Sequence, residues 1–160
     1  MAKIKIKGLK DEDFVNYKKP SMFIAFPTCT WKCEKDCGLR VCQNNTLVKT
    51  KNIEIDISKV IDRYTKNPIT KAIVCGGLEP FDSWKDLQEL IRELRKYTQD
   101  DIVIFTGFYK KEIKSKIKWL SFFPNIVVKF GRYVPDQEKH YDEVLGVYLA
   151  SSNQYAERIS

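Results

Sequence analysis

The chain has 160 residues, 43% of them hydrophobic and 12% aromatic, which supplies the core of one domain over 1–160 and excludes a disordered chain. Its apolar runs, such as Met22 to Phe26 and Ile102 to Phe105, fall far short of the ~18 residues of a membrane span, and Met1 to Lys10 has no apolar leader core, so a cytoplasmic protein without a membrane partner is expected. Basic residues outnumber acidic ones by 28 to 21, for a net charge of +7; this favours acidic partners, but Lys3, Lys5, Lys7, Lys10 and the lysines of 110–118 read as solvated faces, which argues against nucleic acid.

In chain order, Lys3 to Lys7 alternates as a short strand, and Ser21 to Phe26 is an apolar strand halted by Pro27. The polar stretch from Thr28 to Asn45 reads as a loop. Ile57, Val60, Ile61 and Tyr64 recur at helical spacing until Asn67-Pro68. Ala72 to Cys75 is a buried strand ending in Gly76-Gly77. Ser83 with Asp86 forms a capping-box pattern ahead of a helix carrying Leu87, Leu90, Ile91 and Leu94. Asp101 to Thr106 is a strand ended by Gly107, and Ile113, Ile117 and Leu120 mark a further helix. Ile126 to Phe130 is a strand, and Val144 to Leu149 is expected as the last one. Strand–helix–strand order with short connections predicts an α/β fold with a mainly parallel sheet. Five or six strands cannot close into eight, so the expectation is a partial, open βα barrel with its site at the carboxyl ends of the strands.

The chemistry concentrates in the loop after Phe26. Four of the five cysteines, Cys29, Cys33, Cys37 and Cys42, fall within fourteen residues. In a reducing compartment that density points to metal or cluster ligation rather than disulfides. Soft thiolates on one loop can wrap an iron–sulfur centre, and a four-cysteine zinc knot satisfies the same count. Cys29 and Cys33 are the firm pair; the third ligand is Cys42 or Cys37. His140, the only histidine, is expected on the surface or in a loop. Gly76-Gly77-Leu78-Glu79-Pro80 follows a buried strand. Its glycines let backbone approach a ligand, and Glu79 can accept hydrogen bonds from an ammonium group. Taken alone, the same pentapeptide is an ordinary strand-to-helix turn.

Pro27-Thr28-Cys29-Thr30-Trp31-Lys32-Cys33, with Cys42-Gln43-Asn44 behind it, resembles the cluster loop of radical S-adenosylmethionine (SAM) enzymes. It departs from their C-x3-C-x2-C spacing by the insertion Glu34 to Val41. The resemblance implies one [4Fe–4S] cluster on three cysteines, with Cys42 favoured as the third, and an open iron that takes SAM. Gly76 to Pro80 resembles that family's GGEP motif with Leu78 added. Ile104-Phe105-Thr106-Gly107-Phe108, Lys129-Phe130-Gly131-Arg132-Tyr133 and Ala150-Ser151-Ser152-Asn153-Gln154 resemble, in order, segments of the short activases of anaerobic ribonucleotide reductase, although the acid expected before Gly131 is missing. The resemblance implies that Gly76, Gly77, Leu78, Glu79, Pro80, Asn44, Thr106, Gly107, Ser152 and Asn153 hold the SAM cofactor. It further implies a glycyl-radical partner, the large subunit of anaerobic ribonucleotide reductase, and a low-potential electron donor such as flavodoxin. Two alternatives stand beside it: a radical SAM enzyme acting on a small molecule or peptide, and a non-enzymatic zinc-binding module.

Overall fold

The computed structural model describes residues 2–28, 47 and 49–160. Its main sheet has six strands in the order β10-β7-β6-β5-β3-β2. These are β2 (Gly8–Asp13), β3 (Ser21–Phe26), β5 (Ala72–Gly77), β6 (Asp101–Phe105), β7 (Ile126–Phe130) and β10 (Tyr155–Arg158). The pairings β3–β5, β5–β6 and β6–β7 are parallel. Antiparallel β2 and β10 flank them. Two small antiparallel pairs complete the strands: β1 (Lys3–Ile6) with β4 (Ile53–Asp56), and β8 (His140–Asp142) with β9 (Val147–Leu149).

Three α-helices lie among the described residues, α1 (Ile57–Lys66), α2 (Trp84–Leu94) and α3 (Lys114–Leu120). Their buried residues are the ones the periodicity selects: Ile57, Val60, Ile61 and Tyr64 on α1, and Leu87, Leu90, Ile91 and Leu94 on α2. These stripes meet Ile73, Cys75, Ile102, Ile104, Ile126, Val128 and Phe130, which alternate along the strands onto one face of the sheet. The intervening residues Ala72, Val74, Val103 and Val127 face the other way and are covered by Tyr17, Leu145 and Leu149. Each fully buried side chain of this size contributes ~1.5–3 kcal/mol of transfer free energy. The strands are therefore continuous apolar runs because both faces are covered.

Two expectations are corrected. Val144 to Leu149 is not one strand: Gly146, at φ +73, turns the chain between β8 and β9, and the last strand is β10. Ser83 precedes α2 without capping it. Its hydroxyl pairs instead with that of Thr28 at 2.9 Å, and Asp86 accepts from the backbone N–H of Lys5 at 3.1 Å. Strands β2, β4, β8 and β10 are additions to the sequence reading. No helix among the described residues is long and apolar enough to cross a membrane.

Candidate functional site

The parallel strands end level with one another, since Phe26 pairs with Gly77, Cys75 with Ile104 and Phe105 with Lys129. The segments that follow them therefore lie side by side. Leu78 donates its N–H to the Phe26 carbonyl at 3.2 Å, and Glu79 donates to that of Thr28 at 2.7 Å. The glycine loop is thus stitched to the chain just before it enters the cysteine segment. Gly77 makes this close approach possible: its φ is +81, and a Cβ there would sit 2.8 Å from Ala25 Cα and 2.9 Å from Phe26 N.

Glu79 is 2% exposed. A carboxylate removed from water is costly unless donors replace the water, and the described residues supply three of them. Oε2 accepts the Thr106 hydroxyl at 2.8 Å and the Phe81 N–H at 3.2 Å, while Oε1 accepts the Gly107 N–H at 2.9 Å. Thr106 Oγ1 in turn accepts the Phe108 N–H at 3.0 Å. The acid expected to meet an ammonium group therefore also clamps the loop after β5 to the loop after β6. Pro80 begins the short 3-10 turn Pro80–Ser83 that leads into α2, and Leu78 occupies the bend between Gly77 and Glu79.

The row continues across β7. Gly131 donates its N–H to the Phe108 carbonyl at 3.1 Å. At φ +106 it packs under the turn 151–154, where a Cβ would lie 3.1 Å from the Asn153 carbonyl oxygen. Gln154 Nε2 donates to the Gly131 carbonyl at 3.3 Å, and its Oε1 accepts the Ser151 N–H at 3.1 Å. Asn153 Nδ2 donates to Tyr109 Oη at 2.8 Å and to the Arg132 carbonyl at 2.7 Å, whereas its buried Oδ1 has no hydrogen-bond partner among the described residues. Ser152 is turned outward: its N–H and hydroxyl both donate to Gln137 Oε1, at 3.0 and 2.6 Å. His140 sits on β8 with Nε2 2.6 Å from the Gln154 carbonyl oxygen.

Lys129 is the residue that sequence reasoning missed. It is 8% exposed, and its ammonium donates to the carbonyls of Gly131 at 3.0 Å and Thr106 at 3.4 Å, with the Phe105 ring 6.0 Å away. A lysine inside the apolar run Ile126–Phe130 was the signal available for it. The ion pair of Arg132 with Glu112 is a second such feature, bidentate at 2.8 and 2.6 Å. The Arg132 hydrogen bonds hold the Glu112 carboxyl below its ordinary range.

Cys29, Cys33, Cys37, Cys42 and Asn44 lie outside the described residues, within which no group of three or more His, Cys, Asp or Glu could hold a metal ion. Cys75 is fully buried on the helical side of the sheet, and burial pushes its thiol up to about 12; it is a core residue and not a thiolate. A family model described as "4Fe-4S single cluster domain" matches residues 21–155. The chain belongs to the 4Fe-4S single cluster domain family. A [4Fe–4S] centre, not zinc, is the metal group this family carries, and the matched range takes in every residue of the row from Thr28 to Gln154. No curated protein and no solved structure matches the chain.

The described residues fit a cluster-bound polar ligand. The unpartnered Asn153 Oδ1 offers it an acceptor, and the glycine pair brings backbone to the edge of the cysteine segment.

Proposed function

We propose that the chain is a radical SAM enzyme whose sheet is an open, partial βα barrel, and that it generates a glycyl radical on anaerobic ribonucleotide reductase. The observation that carries this reading is the Glu79 clamp, which ties Gly76 to Pro80 and Thr106-Gly107 into one row beside Thr28, the residue before the first cysteine. A row of backbone groups and one buried acid at the carboxyl ends of parallel strands is where such folds collect a ligand.

In this reading Cys29, Cys33 and Cys42 hold the cluster, with Cys37 as the alternative to Cys42, and Gly76, Gly77, Leu78, Glu79, Pro80, Asn44, Thr106, Gly107 and Asn153 line the SAM site, while Ser152, turned to Gln137, stands outside that lining. Held by those cysteines, the cluster would supply the one-electron reduction needed to cleave the sulfonium C–S bond of SAM, the chemistry by which a hydrogen atom would be taken from a partner glycine. The chain's own part is positional. Glu79 fixes the spacing of two loops, Asn153 offers its amide oxygen at the far end of the row, and Phe23, Phe105 and the Val74–Val103–Val127 layer keep water from beneath it. A low-potential donor such as flavodoxin supplies the electron.

The test is to mix reduced, cluster-loaded protein, SAM and the reductase without oxygen and to record electron paramagnetic resonance spectra. A glycyl doublet on the reductase is expected. SAM cleavage with turnover of a small substrate, and no radical on the reductase, would move the protein to another radical SAM reaction.

A further inference from the structure

Beside the row, a cleft of about 560 Å³ is lined by Tyr109, Lys110, Lys111, Lys114 and Tyr155. We infer that this cleft docks an acidic segment of the polypeptide on which the enzyme acts, through the ammonium groups of Lys111 and Lys114 and the rings of Tyr109 and Tyr155. That the ligand belongs to a macromolecular substrate rests on the function proposed above; the anion chemistry of the cleft does not.

One of the lining lysines is already paired. Lys110 Nζ meets Glu157 Oε1 at 2.8 Å, whereas among the described residues no carboxylate lies within ion-pair distance of Lys111 or Lys114. Glu112, between them in sequence, is committed to Arg132. Two exposed cations outside any ion pair among the described residues, beside two tyrosines, are the composition of an interface anchor, since Tyr is enriched at hot spots and charge complementarity fixes register and speeds encounter.

The rings disfavour a nucleotide. Arg132 covers the Tyr109 ring at 4.9 Å, and Phe130 packs on that of Tyr155 at 5.4 Å, so each tyrosine has a face taken up by its own chain. Strand addition is disfavoured as well. Asp142 Oδ2 accepts the Ala156 N–H at 2.9 Å, which caps an outward-facing donor of β10. Recognition therefore falls to side chains. Tyr109 couples the cleft to the site, because its hydroxyl accepts from Asn153 Nδ2 while its ring lines the cleft. A segment seated there lies one residue away from the row.

The experiment titrates the cluster-loaded full chain, without oxygen, into a fluorescein-labelled peptide of about ten residues rich in Glu and Asp, read by anisotropy. Lys111→Glu/Lys114→Glu is expected to weaken binding by about tenfold or more, and Tyr155→Ala by several-fold. Lys3→Glu/Lys5→Glu, an equal charge change on exposed residues of β1, is expected to alter it less than about threefold. A Gln/Asn version of the peptide is expected not to bind. Equal weakening by the two charge reversals would mean that net charge alone attracts the probe, and displacement of the peptide by low ATP would make the cleft a nucleotide site; either overturns the inference. Cluster content and SAM cleavage are recorded on the parent sample. Their failure would strike the proposed function and leave the peptide titration readable.

Discussion

Glu79 and Thr106 stand 27 residues apart and meet through a 2.8 Å hydrogen bond between a buried carboxylate and a buried hydroxyl. Each belongs to a different strand's exit, so the bond sets the width of the row above β5 and β6. Glu79→Ala leaves Thr106 Oγ1, Phe81 N–H and Gly107 N–H without their acceptor. The expected loss is ~2–4 kcal/mol of stability, measured by chemical denaturation, together with a fall of about tenfold or more in SAM cleavage. Glu79→Gln keeps one acceptor oxygen and should land between the parent and Glu79→Ala. An alanine variant as stable as the parent would mean that water replaces the carboxylate without penalty.

Gly76 and Gly77 are predicted to respond differently to the same substitution. At Gly77 an alanine Cβ meets the Ala25 backbone and must adopt φ +81. That is strain which a packed strand cannot relieve, and ~2–4 kcal/mol is expected to be lost. At Gly76 the nearest atom, at 2.9 Å, is Cε2 at the far end of the Phe23 side chain. Rotation of that ring lowers the cost to about 1 kcal/mol. Thermal unfolding of the two variants ranks them, and the reverse order would contradict the geometry.

The cysteines are expected to divide into two groups. Alanine at Cys29, Cys33 or Cys42 is expected to abolish the about four irons and four sulfides held per chain after anaerobic reconstitution, whereas Cys37→Ala and Cys75→Ala should keep them. Cys75 should also resist alkylation in the folded protein, since it is buried and its thiol is pushed up to about 12. Loss of iron from Cys37→Ala with a benign Cys42→Ala would reassign the third ligand.

Asp101 predicts an acid limb of stability. Burial on its own would raise its pKa, but hydrogen bonds from Arg158, Tyr17 and Lys19 outweigh that and hold the carboxyl at about 2. An unfolded Asp titrates near ~3.9. The folded value is the lower one, so the contribution is fully present above about pH 4 and disappears as pH falls toward 2, amounting to ~2 kcal/mol for this group. Denaturation midpoints at several pH values across that window should converge for parent and Asp101→Asn at the acid end. Parallel curves would exclude this cluster as the source.

The elements read from sequence are those whose signal is carried by their own residues. Leu87, Leu90, Ile91 and Leu94 can face only one way on a helix, and Ile102 to Ile104 can only be interior. The edge strand β2, Gly-Leu-Lys-Asp-Glu-Asp, has no such pattern, and its pairing with β3 makes it a strand. Ser83 and Asp86 carry the capping-box pattern, yet tertiary partners, Thr28 and the Lys5 backbone, take their side chains. At the site, the glycine pair and Glu79 were legible as a strand-end motif. The role of Glu79 as a clamp was not, because Thr106 and Gly107 reach it only through the β5–β6 register. Lys129 was hidden for the same reason: its carbonyl partners belong to loops that follow two different strands.

The β8–β9 turn has a consequence for depth. Leu145 and Leu149 press onto the Val74–Val103–Val127 layer, and the Lys18 N–H donates to the Leu145 carbonyl at 2.7 Å, fastening the turn to the segment before β3. The side of the sheet away from the helices thus has an apolar floor that starts two residues below the end of β6 and three below that of β5. Among the described residues this side of the sheet leaves no depth along β5, β6 and β7, and the polar groups of the row from Thr28 to Asn153 gather at the strand ends above it. In the function proposed above, the target is met at this rim and not within the sheet.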